Sequence, residues 1–171
     1  MEDSENQTVN IQSKLKEWFS GAQRVVLAGI GNPFRKDDYV GVEIVKKLED
    51  KTSKNVILIQ AETVPESYLH QITELKPTHM LIIDAGLINV QPGTAKLVDP
   101  QQLMRKTAIS THTLPLGIFC DYIAKTSGTK VSLLVIQPHD TGFGEGLTPM
   151  LQKTATQLAD LLLSLLPKDE Q

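Results

Sequence analysis

The stretch Val25-Val26-Leu27-Ala28-Gly29-Ile30-Gly31-Asn32-Pro33-Phe34-Arg35-Lys36-Asp37-Asp38-Tyr39-Val40-Gly41 decides the fold. It reads as a buried strand that breaks at Gly29 and Gly31. A polar loop with two adjacent carboxylates follows, then a helix starting near Gly41. Four or more apolar residues ending in glycines suit the first strand of a parallel sheet, whose faces are both covered. The carboxyl end of such a strand is where open α/β sheets place their ligands. Two neighbouring acids there repel each other and are costly to desolvate, so a cation or a proton is the natural compensation. The plainer alternative is a helix N-terminus carrying Asp to suit its dipole.

The apolar runs outward from this stretch repeat the same alternation. Val40–Leu48 is apolar at 40, 44, 45 and 48, a helix facing a sheet. Val56–Ile59 is a second buried strand, and Pro65 opens a helix with Leu69, Ile72 and Leu75 inward, stopped at Lys76-Pro77. Met80-Leu81-Ile82-Ile83-Asp84 is a third strand that ends in a carboxylate. Pro92-Gly93 marks a turn before a short strand, Thr94–Val98, and the link is too short for a helical crossover, so this strand is antiparallel. Leu114–Ala124 is helical and Val131–Ile136 is the fifth strand. Thr148 is a natural N-cap and Pro149 a natural first residue for a last, leucine-rich helix. The expected architecture is a three-layer α/β sandwich, a five-stranded, mainly parallel twisted sheet with one antiparallel strand and helices on both faces.

Ahead of the first strand, Ile11, Leu15, Trp18 and Phe19 fall on one helical face, giving an amphipathic helix over roughly residues 10–20 with Trp18 as a packing anchor. The helix docks on a single α/β domain spanning 1–171. With 171 residues, 40% of them hydrophobic, the chain can bury one good core. A net charge of −3 offers no basic groove for nucleic acid. The single cysteine, Cys120, excludes an intramolecular disulfide. The acidic, polar start is not a secretion signal, and no apolar run approaches the roughly 18 residues of a membrane span. These features point to a cytoplasmic protein with no membrane insertion.

Three polar residues stand where strands hand over to loops or helices: Asp38 after the first strand, Asp84 at the end of the third, and His112 in Ser110-Thr111-His112-Thr113 before a helix. Parallel strands bring such loops to one edge. Two carboxylates and an imidazole form a ligand set for a divalent ion such as zinc or nickel, with positions left open. Alternatively, Asp84 caps a loop and His112 simply starts a helix. His70 and His79 read as solvent-facing, His139 could join the same cleft, and Cys120 reads as a small core residue. Gly29-Ile30-Gly31 fails as a dinucleotide fingerprint, since Phe34 stands where the third glycine belongs. Serine-hydrolase, zincin and P-loop motifs are absent.

Taken in order, Gly29-Ile30-Gly31-Asn32 with Asp37-Asp38 and Gly41, Leu81-Ile82-Ile83-Asp84-Ala85, Thr111-His112-Thr113-Leu114-Pro115-Leu116 and Gly146-Leu147-Thr148-Pro149 resemble the hydrogenase maturation endopeptidases. The resemblance covers roughly residues 24–166 and implies that residues 1–22, with their one amphipathic helix, are an N-terminal extension. It implies a phosphorylase/hydrolase-like fold and an aspartyl-type endopeptidase that trims the C-terminal extension of the NiFe hydrogenase large-subunit precursor. It implies Asp38, Asp84 and His112 as catalytic and metal-contacting residues, with Gly31, Asn32, Asp37 and Thr111 at the substrate. The metal is nickel supplied by the precursor, held by the precursor's own thiolates, and no organic cofactor is expected. Two alternatives remain at this point: a peptidyl-tRNA hydrolase-like esterase, which shares a Gly-x-Gly-Asn-Pro opening, and a non-catalytic nickel-docking maturation factor.

Overall fold

In a computed structural model describing residues 2–105 and 113–170, five strands join in one sheet. The strands are β1 (Val25–Ile30), β2 (Val56–Glu62), β3 (His79–Ala85), β4 (Ala95–Val98) and β5 (Lys130–Ile136). Their order is β2-β1-β3-β5-β4, with every pairing parallel except β4 against β5. The expected sandwich and its antiparallel fourth strand are present, and each strand starts within a residue of its expected start, β2 running three residues past Ile59 to Glu62. The helices are α1 (Glu2–Trp18), α2 (Val40–Lys47), α3 (Leu69–Leu75), α4 (Pro100–Arg105), α5 (Thr113–Ser127) and α6 (Pro149–Leu165).

Alternation along the strands divides the core between the two faces of the sheet. Val25, Leu27, Leu81, Ile83 and Leu134 point to one face, where α1, α2 and α6 cover them. Val26, Ala28, Met80, Ile82 and Leu133 point to the other, with Ile72 of α3 and Leu116, Phe119, Cys120 and Ile123 of α5 above them. All six residues of β1 and all seven of β3 are buried, which is why these strands read as unbroken apolar runs.

Several local expectations change. The first strand runs to Ile30, and its register against β2 shifts between Gly29 and Ile30. Helix α1 starts at Glu2, well before residue 10, while Ile11, Leu15, Trp18 and Phe19 are buried as the helical face required. Helix α4 went unpredicted; it starts at a proline, and the side chain of Asp99 accepts the Gln101 N–H at 2.8 Å ahead of it. His79 is not solvent-facing: it is buried, and its ring meets Trp18 edge-on at 5.1 Å. Desolvation lowers its pKa first, and the Lys130 ammonium lowers it further. Among the described residues no helix is long and apolar enough to cross a membrane.

Candidate active site at the carboxyl edge

Strand order reverses at β1. The chain leaves β1 for β2 on one side and then returns to build β3 on the other. The gap between the carboxyl ends of β1 and β3 is therefore the switch point at which α/β sheets hold ligands. Both expected carboxylates belong to the elements that flank it.

Three glycines bring the first of them there. A Cβ on Gly41 would fall inside the carbonyls of Ile83 and Ile30, one on Gly29 would strike the Gly41 backbone, and one on Gly31 would strike the Asp38 backbone. Gly31 also has φ +155, a conformation that favours glycine. The start of α2 and the turn ahead of it are thus packed backbone to backbone on β1 and β3. That turn, Lys36–Tyr39, is a 3₁₀ helix in which Asp37 and Asp38 are both buried.

Asp38 is 3% exposed, and its Oδ2 accepts the Asn32 N–H at 2.9 Å. Asn32 Oδ1 in turn accepts the Phe34 N–H at 2.9 Å, a side-chain-closed turn that sets the loop. Asp84 is completely buried, the penultimate residue of β3, in register with Val135 of β5. Helix α5 ends at Ser127, close to the start of β5 at the amino edge, and its 15 residues rise about 22 Å. Its first turn at Thr113 accordingly reaches the carboxyl edge. His112 and Thr111, one and two residues earlier, lie outside the described residues. Among the described residues no three His, Cys, Asp or Glu side chains form a group that could hold a metal ion.

Gly31 and Asp37, both expected at the substrate, are tied into the scaffold of this edge by hydrogen bonds. Gly31 is buried and donates its N–H to Glu62 O at 2.9 Å. Asp37 is completely buried, and its carboxylate accepts the backbone N–H groups of His139, Asp140 and Thr148 at 3.0, 2.9 and 2.7 Å. The Thr148 hydroxyl lies 2.9–3.0 Å from the same two oxygens, so this N-cap residue bonds the acid rather than its own helix. Nothing in the local sequence announces these amides, because a backbone N–H carries no residue signature.

A second clasp lies beside the first. Lys36 Nζ meets Asp140 Oδ2 at 2.6 Å, and this hydrogen bond, followed by one from Gly142 N–H, holds the Asp140 carboxyl below its ordinary value. His139 is exposed at the same edge, and its backbone N–H bonds Asp37. Cys120 is fully buried, and desolvation raises its thiol pKa to about 12, which removes it as a nucleophile.

The arrangement is that of a three-layer α/β protein with two buried carboxylates, Asp38 and Asp84, on the elements that flank its ligand-binding switch point. Residues 42–165 match the family model described as hydrogenase maturation protease. The chain is 32% identical over 118 residues to the hydrogenase 3 maturation protease of Escherichia coli K12, covering 69% of this chain and 75% of that protein. The crystal structure of the NiFe hydrogenase maturation protease HycI from Thermococcus kodakarensis KOD1 superposes with a TM-score of 0.80 at 34% identity, covering 88% of this chain and 97% of that one. The crystal structure of a hydrogenase 3 maturation protease gives 0.74 at 28% identity, over 84% and 92% of the two chains. The chain belongs to the hydrogenase maturation protease family and is a peptidase. Family membership sets aside both the peptidyl-tRNA hydrolase and the non-catalytic alternatives.

Proposed function

We propose that this peptidase removes the C-terminal extension of a NiFe hydrogenase large-subunit precursor in the cytoplasm, after nickel has been inserted, and that it reads the nickel the precursor holds. The observation that carries the proposal is the pair of buried carboxylates, Asp38 and Asp84, at the switch point between β1 and β3. Carboxylate oxygens at a ligand-binding edge are suited to meeting a divalent cation that arrives with the substrate.

In this reading nickel is part of the substrate. Its contribution is Lewis-acid polarisation of a carbonyl or a water beside the scissile bond. The chain supplies position. Asp38 enters with one oxygen oriented by the Asn32 N–H, on a turn locked by close glycine packing. Asp84 enters from the end of a fully buried strand. His112 completes the triad, and the arrival of α5 at this edge at Thr113 supports that assignment. Asn32 shapes the entrance, and Thr111 borders the substrate next to His112.

The test compares nickel-loaded with nickel-free precursor as substrates for the purified protein. Cleavage confined to the loaded form is expected. Efficient cleavage of nickel-free precursor would overturn nickel recognition.

A further inference from the structure

The carboxyl edge exposes more apolar surface than a soluble edge requires. Val64 follows β2, Phe34 follows β1, Leu87 follows β3 and Phe143 follows β5, in the order of four neighbouring strands. They are 46, 53, 60 and 89% exposed. Of the seven large hydrophobic side chains left exposed among the described residues, four are therefore on this edge.

These loops are fastened to one another. Gly31 N–H bonds Glu62 O, Gly144 N–H bonds Phe34 O at 2.8 Å, and Gly86 N–H bonds Ile136 O at 3.0 Å. Ile88 N–H bonds Gln137 Oε1 at 2.8 Å. The apolar side chains thus stand on a fixed backbone, where exposed aromatics act as anchors for a partner. Phe34 lies four residues before Asp38 and Leu87 three after Asp84, so two of the four rim residues stand on the segments that carry the candidate acids.

We infer that this rim is the docking surface for the substrate polypeptide, and that its occupant is an extended segment of the precursor, beside the scissile bond, with apolar side chains. Four strands span about 14 Å, the length of four or five extended residues. Exposed Glu62, Glu66 and Glu145 outweigh Arg35 on these loops, and Asp140 neutralises Lys36, so the segment's flanking charges are basic rather than acidic. The inference rests on the functional reading above, because it takes the precursor as substrate.

The test is cleavage of nickel-loaded precursor by wild type, by the double variant Phe34→Ser/Phe143→Ser and by Tyr122→Ser, an exposed position on α5 away from the rim. Affinity for the precursor is measured in parallel in an Asp38→Asn background. The double variant should raise KM by about tenfold or more, with a smaller change in kcat, and weaken binding in proportion. Tyr122→Ser should leave KM unchanged. Unchanged KM and affinity in the double variant beside an active wild type would overturn the docking surface alone. A wild-type protein that does not cleave the precursor would overturn the functional reading and this inference together.

Discussion

The carboxylate of Asp37 accepts the backbone N–H of Thr148 at 2.7 Å, joining two points 111 residues apart. Thr148 is the N-cap of α6, so the acid also faces the positive end of that helix. Because the same carboxylate collects the N–H groups of His139 and Asp140, it fixes the loop after β5 to the turn that carries Asp38. Asp38, its neighbour in sequence, thereby stands on a turn fastened from a distant part of the chain.

Asp37→Ala should strand three part-buried backbone donors, each costing about 1 kcal/mol. We expect a loss of about 3 kcal/mol or more, a fall in Tm of roughly 6–12 °C for a chain of this size. Asp37→Asn keeps one acceptor oxygen but turns an NH2 toward those donors, and should fall between the variant and the wild type. Thermal denaturation of the three proteins checks the order. A variant as stable as wild type would mean the clasp adds nothing.

The glycine packing makes a separate prediction. Gly41→Ala leaves every acid in place, yet its Cβ would collide with the Ile83 and Ile30 carbonyls. The start of α2 must then move off the sheet, at about 1–3 kcal/mol for overpacking, and the Asp38 turn moves with it. Cleavage should drop by more than the loss of folded protein explains. Activity per folded molecule, with the folded fraction taken from circular dichroism, measures this.

The layered sheet was legible because β1 and β3 are buried on both faces, which leaves apolar runs no exposed helix would carry. The position of Asp84 followed from the same run, since a charge at the end of it has few other uses. The clasp made by Asp37 was not legible because its partners are amides 102 to 111 positions away. His79 was misread because Trp18, from a helix docked ahead of the sheet, covers it, and tertiary docking leaves no mark on local periodicity. Phe143 drew no notice because a single aromatic in a glycine-rich loop becomes informative only when the sheet order sets it beside Phe34, Val64 and Leu87.

His79 gives stability a pH dependence whose sign follows from its lowered pKa. The unfolded chain binds a proton near the ordinary value of about 6.5, while the folded chain resists it to lower pH. Between those two values the unfolded state holds more protons, so stability is present above about 6.5 and is lost as pH falls toward the folded pKa. Replacing His79 with Gln should flatten the change in Tm between pH 7 and 5. An unchanged slope would assign the acid sensitivity to other groups.

The proposed triad predicts a separation of activity from folding. Asp38→Asn, Asp84→Asn and His112→Ala should each reduce precursor cleavage by about 10²-fold or more, the scale of losing one positioned catalytic group. Each variant should still melt cooperatively, because none empties the core. Wild-type cleavage in any one of them would remove that residue from the triad.

Nickel bound to the substrate rather than to the enzyme predicts an order-of-addition effect. Ligand softness favours the precursor's thiolates over carboxylates and imidazole as the seat of nickel, so a chelator added after loading has to compete with sulfur. Treating the purified enzyme with chelator and then removing it should leave cleavage of loaded precursor unchanged. Treating the precursor before nickel insertion should abolish cleavage. Metal analysis of the enzyme provides the companion measurement, with far less than one equivalent expected. An enzyme that carries stoichiometric zinc, and loses activity when that zinc is stripped, would make the carboxylate pair part of a resident metal site and overturn the assignment of nickel to the substrate.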